Sequence, residues 1–73
     1  MTLYNILSHV PGNQTATVAD YISGEIYIDR KQTFEIIEKN DKQWYTDGLR
    51  NYQVYKIEIG KVYGDLIISV LKD

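Results

Sequence analysis

The fold is organised around residues 49–71, which read LRNYQVYKIEIGKVYGDLIISVL. Residues 51–59 favour a long strand, and residues 66–71 form a short apolar run, rich in β-branched side chains, after the turn-forming pair Gly64-Asp65. A run of this length is typical of a strand buried on both faces, because a helix is normally longer. The segment therefore predicts two strands joined by a glycine-rich reversal.

The apolar side of the first of these strands changes partway along it. Strict alternation places Tyr52 and Val54 on one face, but Tyr55, Ile57 and Ile59 on the other. One extra residue in a strand reverses the direction of every later side chain. We therefore expect a bulge near Val54 and Tyr55, or burial of this strand on both faces.

The fold class depends on residues 29–40. A helix over residues 30–39 is favoured by Asp29 as its N-cap, by Gln32 three residues later, and by an apolar stripe that contains Phe34 and Ile36. Asn40 would end this helix. The alternative is a strand, but apolar doublets interrupt its alternation.

Shorter patterns predict the remaining elements. Residues 25–29 alternate as a half-buried strand. Residues 42–45 resemble a short strand, and Asp47-Gly48 would form the hairpin turn between it and the segment that starts at Leu49. Residues 17–20 could form one helical turn, with a hairpin tip at Ser23-Gly24 as the alternative. Residues 3–10 suit either a helical face or a strand, and the Pro11-Gly12 turn signal favours the strand.

Together these patterns predict an α+β fold. We expect one small globular domain over residues 1–73, an antiparallel sheet of four or five strands, and one helix packed on a face. The alternative is a small all-β barrel. A chain of this length buries only about 60% of the surface that its unfolded form exposes, so the core is thin and self-association would stabilise it.

Composition excludes several classes of protein. The net charge of −2, with acids and bases interspersed, predicts neither an acidic DNA mimic nor a strongly basic nucleic-acid clamp. The chain has no cysteine, which excludes disulfides and thiolate zinc sites. It also has no apolar run long enough for a membrane span and no signal-peptide pattern, so we expect a cytoplasmic protein without membrane contact.

No motif specifies a reaction, a cofactor or a metal. His9 is the only histidine and has no orienting carboxylate near it in sequence. Glu35, Glu38 and Asp41 alternate with lysines, as on a solvated face. The loop over residues 60–65 lacks the spacing of a phosphate-binding loop. We therefore expect no catalytic residues, no cofactor and no metal site, and a protein that is not an enzyme.

The aromatic side chains are the unusual feature of the sequence. Seven tyrosines and one tryptophan exceed what a small core requires, and such side chains are enriched at binding surfaces. The alternative is that they cover a shallow core. The candidate binding surface consists of Trp44, Tyr45, Arg50, Tyr52, Tyr55, Lys56, Lys61 and Tyr63.

From these features we expect a non-catalytic protein-interaction module. The abundance of Ile, Lys, Asn and Tyr is typical of AT-rich bacterial genomes, so an accessory or inhibitory protein of a phage or other mobile element fits the composition. Its partner would be a second copy or a larger host protein. The alternative is a single-stranded nucleic-acid binder that stacks bases on the tyrosines and holds phosphates with the lysines.

Overall fold

The computed structural model describes residues 1–39 and 42–72. Asn40, the predicted helix stop, and the carboxylate of Asp41 lie outside these ranges. The elements in chain order are helix α1 (Leu3–Leu7), strands β1 (Thr15–Asp20) and β2 (Ile26–Gln32), helix α2 (Thr33–Lys39), a π-helical turn (Lys42–Thr46), a 3₁₀ turn (Leu49–Asn51), and strands β3 (Gln53–Ile59) and β4 (Leu66–Leu71).

The four strands form one sheet in the order β2-β1-β4-β3. Each outer pair is an antiparallel hairpin, whereas the central pair, β1 and β4, is parallel. The predicted α+β class with a helix packed on the sheet is confirmed, and the sheet is open rather than closed into a barrel. It is mixed rather than purely antiparallel, because the helical connection between β2 and β3 brings the two hairpins side by side with β4 running in the direction of β1.

The core lies between one face of the sheet and the helices. Ala16 and Val18 of β1 and Ile68 and Val70 of β4 are buried, and the residues between them are only half-buried. We call the covered side the helix face and the other side the open face. The buried core residues are Leu3, Leu7, Ala16, Val18, Ile28, Ile36, Trp44, Leu49, Tyr52, Ile68 and Val70.

The C-terminal hairpin matches the sequence prediction closely. Val54 pairs with Val70 and Lys56 pairs with Ser69, so Tyr55 is the extra residue of a bulge. This confirms the bulge inferred from the change of apolar side. Strand β4 is central, as its composition indicates, but the helices cover only one of its faces, so Ile67 and Ser69 are half-buried.

The first predicted strand is instead helix α1. Thr2 forms a capping box with Asn5: the Thr2 hydroxyl accepts from the backbone N–H of Asn5 at 3.3 Å, and the side-chain Oδ1 of Asn5 accepts from the backbone N–H of Thr2 at 3.0 Å. Leu3 and Leu7 are one helical turn apart, and both are buried. The cap and this shared apolar face outweigh the strand preference of the tyrosine and isoleucine.

For residues 17–24, the structure has the predicted alternative, a hairpin tip at Ser23-Gly24, and not the helical turn over residues 17–20. Residues 17–20 belong to β1, and Ser23-Gly24 lies at the tip of the β1–β2 hairpin. The Asp20 carboxylate accepts from the N–H groups of Ser23 at 2.7 Å and Ile22 at 3.1 Å. Hydrogen bonds from the backbone and side chain of Ser23 lower the pKa of Asp20. Gly24 follows in the left-handed region, with φ of 76°.

The predicted helix over residues 30–39 is confirmed as α2 but starts later, at Thr33. The backbone stays in β2 through Gln32, and Asp29 is a strand residue rather than a cap. Thr33 marks the change, because its hydroxyl donates to the carbonyl of Pro11 at 2.7 Å and its N–H donates to the carbonyl of Gln14 at 2.9 Å.

The predicted strand over residues 42–45 and the hairpin at Asp47-Gly48 are wrong. Residues Lys42–Thr46 form a π-helical turn, and Gly48, with φ of 77°, begins the 3₁₀ turn. The π-helical turn carries Trp44 into the core, where its side chain is fully buried. Burial of the largest side chain thus outweighs the local strand and hairpin preferences.

Gly60, at the start of the β3–β4 turn, has no room for a side chain. A Cβ there would overlap the carboxylate of Asp65, which is itself buried. We expect Gly60→Ala to lower the free energy of unfolding by about 1–3 kcal/mol, as overpacking usually does, measured by urea denaturation. Gly12→Ala is the matched control, because its Cβ would lie 3.5 Å from the Cβ of Phe34, an ordinary contact.

Candidate functional site

The structure divides the eight candidate surface residues into core and exposed side chains. Trp44 has no exposed area and Tyr52 is 9% exposed, so both belong to the core and are removed from the candidate surface. The other members are Tyr45, Arg50, Tyr55, Lys56, Lys61 and Tyr63, and all six side chains are exposed.

The two buried aromatic side chains pack against other rings. Trp44 lies 6.3 Å from the ring of Tyr4, and Tyr52 meets Tyr27 edge to face at 5.6 Å. Burial raises the pKa of Tyr27. The indole N–H of Trp44 has no hydrogen-bond acceptor among the described residues.

The exposed candidates lie in separate clusters. Arg50 covers the ring of Tyr45 at 4.9 Å. Tyr55 stacks on Tyr21 with ring centroids 4.0 Å apart, and a hydrogen bond with Tyr21 raises the pKa of Tyr55.

The amine of Lys56 lies 5.7 Å from the Tyr21 ring centroid. Arg30 covers Tyr63 at 4.9 Å, next to Lys61 in the β3–β4 turn. Cations of this chain therefore already lie over these tyrosine rings.

Strand register shows how far apart two of these clusters are. Tyr21 donates to the carbonyl of Val70 near the end of β4, whereas the β3–β4 turn that carries Tyr63 precedes Leu66 at its start. Four residue steps along a strand span about 13 Å. The backbone positions that anchor these two clusters on β4 are therefore about 13 Å apart.

The feature that the sequence prediction missed is the outer edge of β3. At its start the edge is occupied, because Leu3 donates to the carbonyl of Tyr52 at 2.9 Å and Val54 donates to that of Met1 at 2.8 Å. Within the described residues, no strand pairs with the outer side of β3 beyond Val54. We call this unpaired segment, residues 55–59, the β3 edge.

Apolar side chains accompany the β3 edge. Ile57 is 43% exposed and Ile59 is 71% exposed, although their pairing with Ile68 and Leu66 places both on the helix face. Beside them runs a groove of about 730 Å³, which we call the α1 groove. It is lined by Met1, Asn5, Ile6, His9, Val10, Ile57 and Leu66.

The opposite edge of the sheet, formed by β2, is irregular and charged. Strand β2 has two breaks in its pairing with β1, and Arg30 adopts a φ of 47°, unusual for a residue other than glycine. Asp29, Arg30 and Lys31 place charges along it. Bulges and charges are the usual protection of an edge strand against further pairing. The β3 edge also has a bulge and charges, at Tyr55, Lys56 and Glu58, but there Ile57 lines the α1 groove and Ile59 is exposed two residues later.

The single histidine lies just after helix α1. His9 donates from Nδ1 to the carbonyl of Asn5 at 2.7 Å, so this ring nitrogen is engaged within the helix end. In residues 1–39 and 42–72, no group of three or more His, Asp or Glu side chains is placed to hold a metal ion.

No helix among the described residues is long and apolar enough to cross a lipid bilayer. Comparisons with protein-family models, with curated proteins and with solved structures found no match for this chain.

Proposed function

We propose that this protein is a non-catalytic protein-interaction module that binds its partner by strand addition at the β3 edge. The observation that carries the proposal is the unpaired segment over residues 55–59, with Ile57 and Ile59 exposed beside the α1 groove. The apolar strand at residues 66–71 is not this surface, because β4 is paired on both sides.

Strand addition uses both features of this site. The outward N–H and C=O groups of an edge strand hydrogen-bond to an extended segment, and pockets for alternate side chains select its sequence. Side chains on a strand alternate between faces, so every second residue of an added strand would point to the side of the α1 groove. The lining residues Ile6, Val10 and Leu66 are apolar, so that groove suits aliphatic side chains.

Composition supports the biological setting of the proposal. The abundance of Ile, Lys, Asn and Tyr fits an AT-rich bacterium or its phage, so the module we propose is a cytoplasmic accessory or inhibitory protein of such an element. A short chain with a thin core gains stability from a partner that covers its exposed isoleucines.

Site-specific cross-linking tests this function. With the photoreactive residue benzoylphenylalanine in place of Ile59, irradiation in producing cells should yield a covalent protein adduct, because Ile59 is exposed at the β3 edge. The same replacement at Glu38, an exposed residue of α2, is the control and should yield much less adduct. Equal or absent adducts from the two positions would contradict binding at this edge.

The nucleic-acid alternative has less structural support. A cation of this chain lies over the rings of Tyr45 and Tyr63, the ring of Tyr55 is stacked on Tyr21, and the net charge is −2. A single-stranded binder normally combines a continuous basic groove with a row of free aromatic faces.

A further inference from the structure

We infer that the partner at the β3 edge is the β3 edge of a second copy of this chain, paired antiparallel about a two-fold axis at Ile57. The inference rests on the proposed function and identifies its partner. Three observations carry it: the extent of the free edge, the pattern of charges along it, and the position of Ile57 in the α1 groove.

The free edge is symmetric about Ile57. The N-terminal residues occupy the edge as far as Val54, and the strand ends at Ile59, where Gly60 begins the turn. Residues 55–59 remain, and Ile57 is their midpoint. In an antiparallel pair centred on Ile57, each free residue faces a free residue of the other copy, and neither N-terminal segment has to leave its place.

The charges along β3 are self-complementary in this same register. Lys56 and Glu58 pair with Ser69 and Ile67, so both project from the open face, where the Lys56 amine and the Glu58 carboxylate lie 3.3 Å apart. A two-fold axis at Ile57 places Lys56 of each copy opposite Glu58 of the other. Opposite charges facing each other across two strands stabilise their pairing.

Other registers lose this complementarity. A shift of two residues in one direction places Lys56 opposite Lys56, and in the other direction it places Glu58 opposite Glu58. Like charges directly opposite each other are destabilising. A shift of one residue places the charged side chains of one copy opposite the isoleucine positions of the other, so open and helix faces no longer match. The sequence of the edge thus specifies one pairing.

Apolar surface is buried on the other face of the same pair. Ile57 of one copy faces Ile57 of the other, and since Ile57 lines the α1 groove, the two grooves meet at the axis. The result is a continuous eight-stranded sheet with both helical layers on one side. An isologous interface of this kind is the commonest form of homodimer. The ladder is short, so we expect a dissociation constant of about micromolar magnitude.

Charge exchange tests the inference by sedimentation equilibrium of the full chain over a range of concentrations. Lys56→Glu and Glu58→Lys should each weaken self-association about tenfold or more. In a dimer of either variant, the side chains at positions 56 and 58 of the two copies would be opposite each other and carry the same charge. An equimolar mixture of the two variants should associate as tightly as the wild type, because each supplies the charge that the other lacks. The double variant with both changes should also associate, since its charges are exchanged but still opposite.

Glu38→Lys is the control, because it makes the same change of charge on α2, and it should leave association unchanged. Circular dichroism of each variant separates loss of pairing from loss of folding, and the associating mixture itself requires both single variants to be folded.

The inference would be overturned by a wild-type protein that stays monomeric at millimolar concentration, or by single variants that associate as tightly as the wild type. Cross-linking from Ile59 to a different protein, with no self-adduct, would also overturn it while leaving the proposed function supported. Absence of any adduct from Ile59 would instead contradict the proposed function itself.

Discussion

Trp44→Ala should remove a large part of the free energy of unfolding of the protein. Replacing a fully buried tryptophan with alanine costs about 3–5 kcal/mol, and a domain of this length is stable by only about 4–11 kcal/mol. Trp44 is the largest of the fully buried side chains, so no neighbour can fill the space it leaves. Far-ultraviolet circular dichroism during urea denaturation measures the effect and does not depend on the lost fluorophore.

Tyr45→Ala is the matched control for Trp44. Tyr45 is the next residue in the same π-helical turn, but its ring is exposed and touches Arg50. We expect a loss of less than about 1 kcal/mol, the usual size of an exposed cation–π contact. Equal losses for the two variants would contradict the assignment of Trp44 to the core.

Ile68→Ala should have the second largest effect, a loss of about 2–5 kcal/mol in the free energy of unfolding. Ile68 is fully buried in the central strand, opposite Val18 of β1 and Ile57 of β3. Removing its side chain therefore leaves a cavity at the point where the two hairpins meet. Urea denaturation monitored by the fluorescence of Trp44 measures this loss.

Ile67→Ala provides a control of the same residue type in the same strand. Ile67 projects from the open face and is half-buried, so its replacement creates no enclosed cavity. We expect it to cost less than half as much as Ile68→Ala. If Ile67→Ala lowered the free energy of unfolding as much as Ile68→Ala, the open face of β4 would be covered in solution. Strand β4 would then be buried on both faces.

Local pattern was sufficient for several elements. The run at residues 66–71 allowed β4 to be located, and the change of apolar side allowed the bulge at Tyr55 to be inferred. Helix α2 follows from its apolar stripe, although its first residue is Thr33 rather than Arg30. In each case the side chains of neighbouring residues carry the information, because strand alternation and helical spacing are local properties.

The errors have a common physical cause. Helix α1 depends on two leucines that reach the core, and the π-helical turn depends on the burial of Trp44. Both are stabilised by packing into a core that contains residues distant in sequence, which local preference does not record. For the same reason, the prediction that Trp44 and Tyr52 belong to the binding surface is wrong. Composition does not distinguish an aromatic ring in the core from an exposed one.

The proposed binding edge depends partly on local sequence and partly on tertiary structure. The alternation of Lys56, Ile57, Glu58 and Ile59 can be read from the sequence, although Lys56 is a candidate there only as a cation near the tyrosines. The sequence does not show that β3 lies at the edge while β4 lies in the centre, since either strand of a hairpin can take either place.

The sequence alone therefore specified the α+β class, the C-terminal hairpin, its bulge and the second helix, because short-range periodicity encodes them. Long-range packing specified the parallel contact of β1 with β4, the helical start of the chain, the burial of Trp44 and the free edge of β3. Those features depend on which apolar surfaces pack together in three dimensions. The free energy gained by burying those surfaces exceeds the small differences between local conformational preferences.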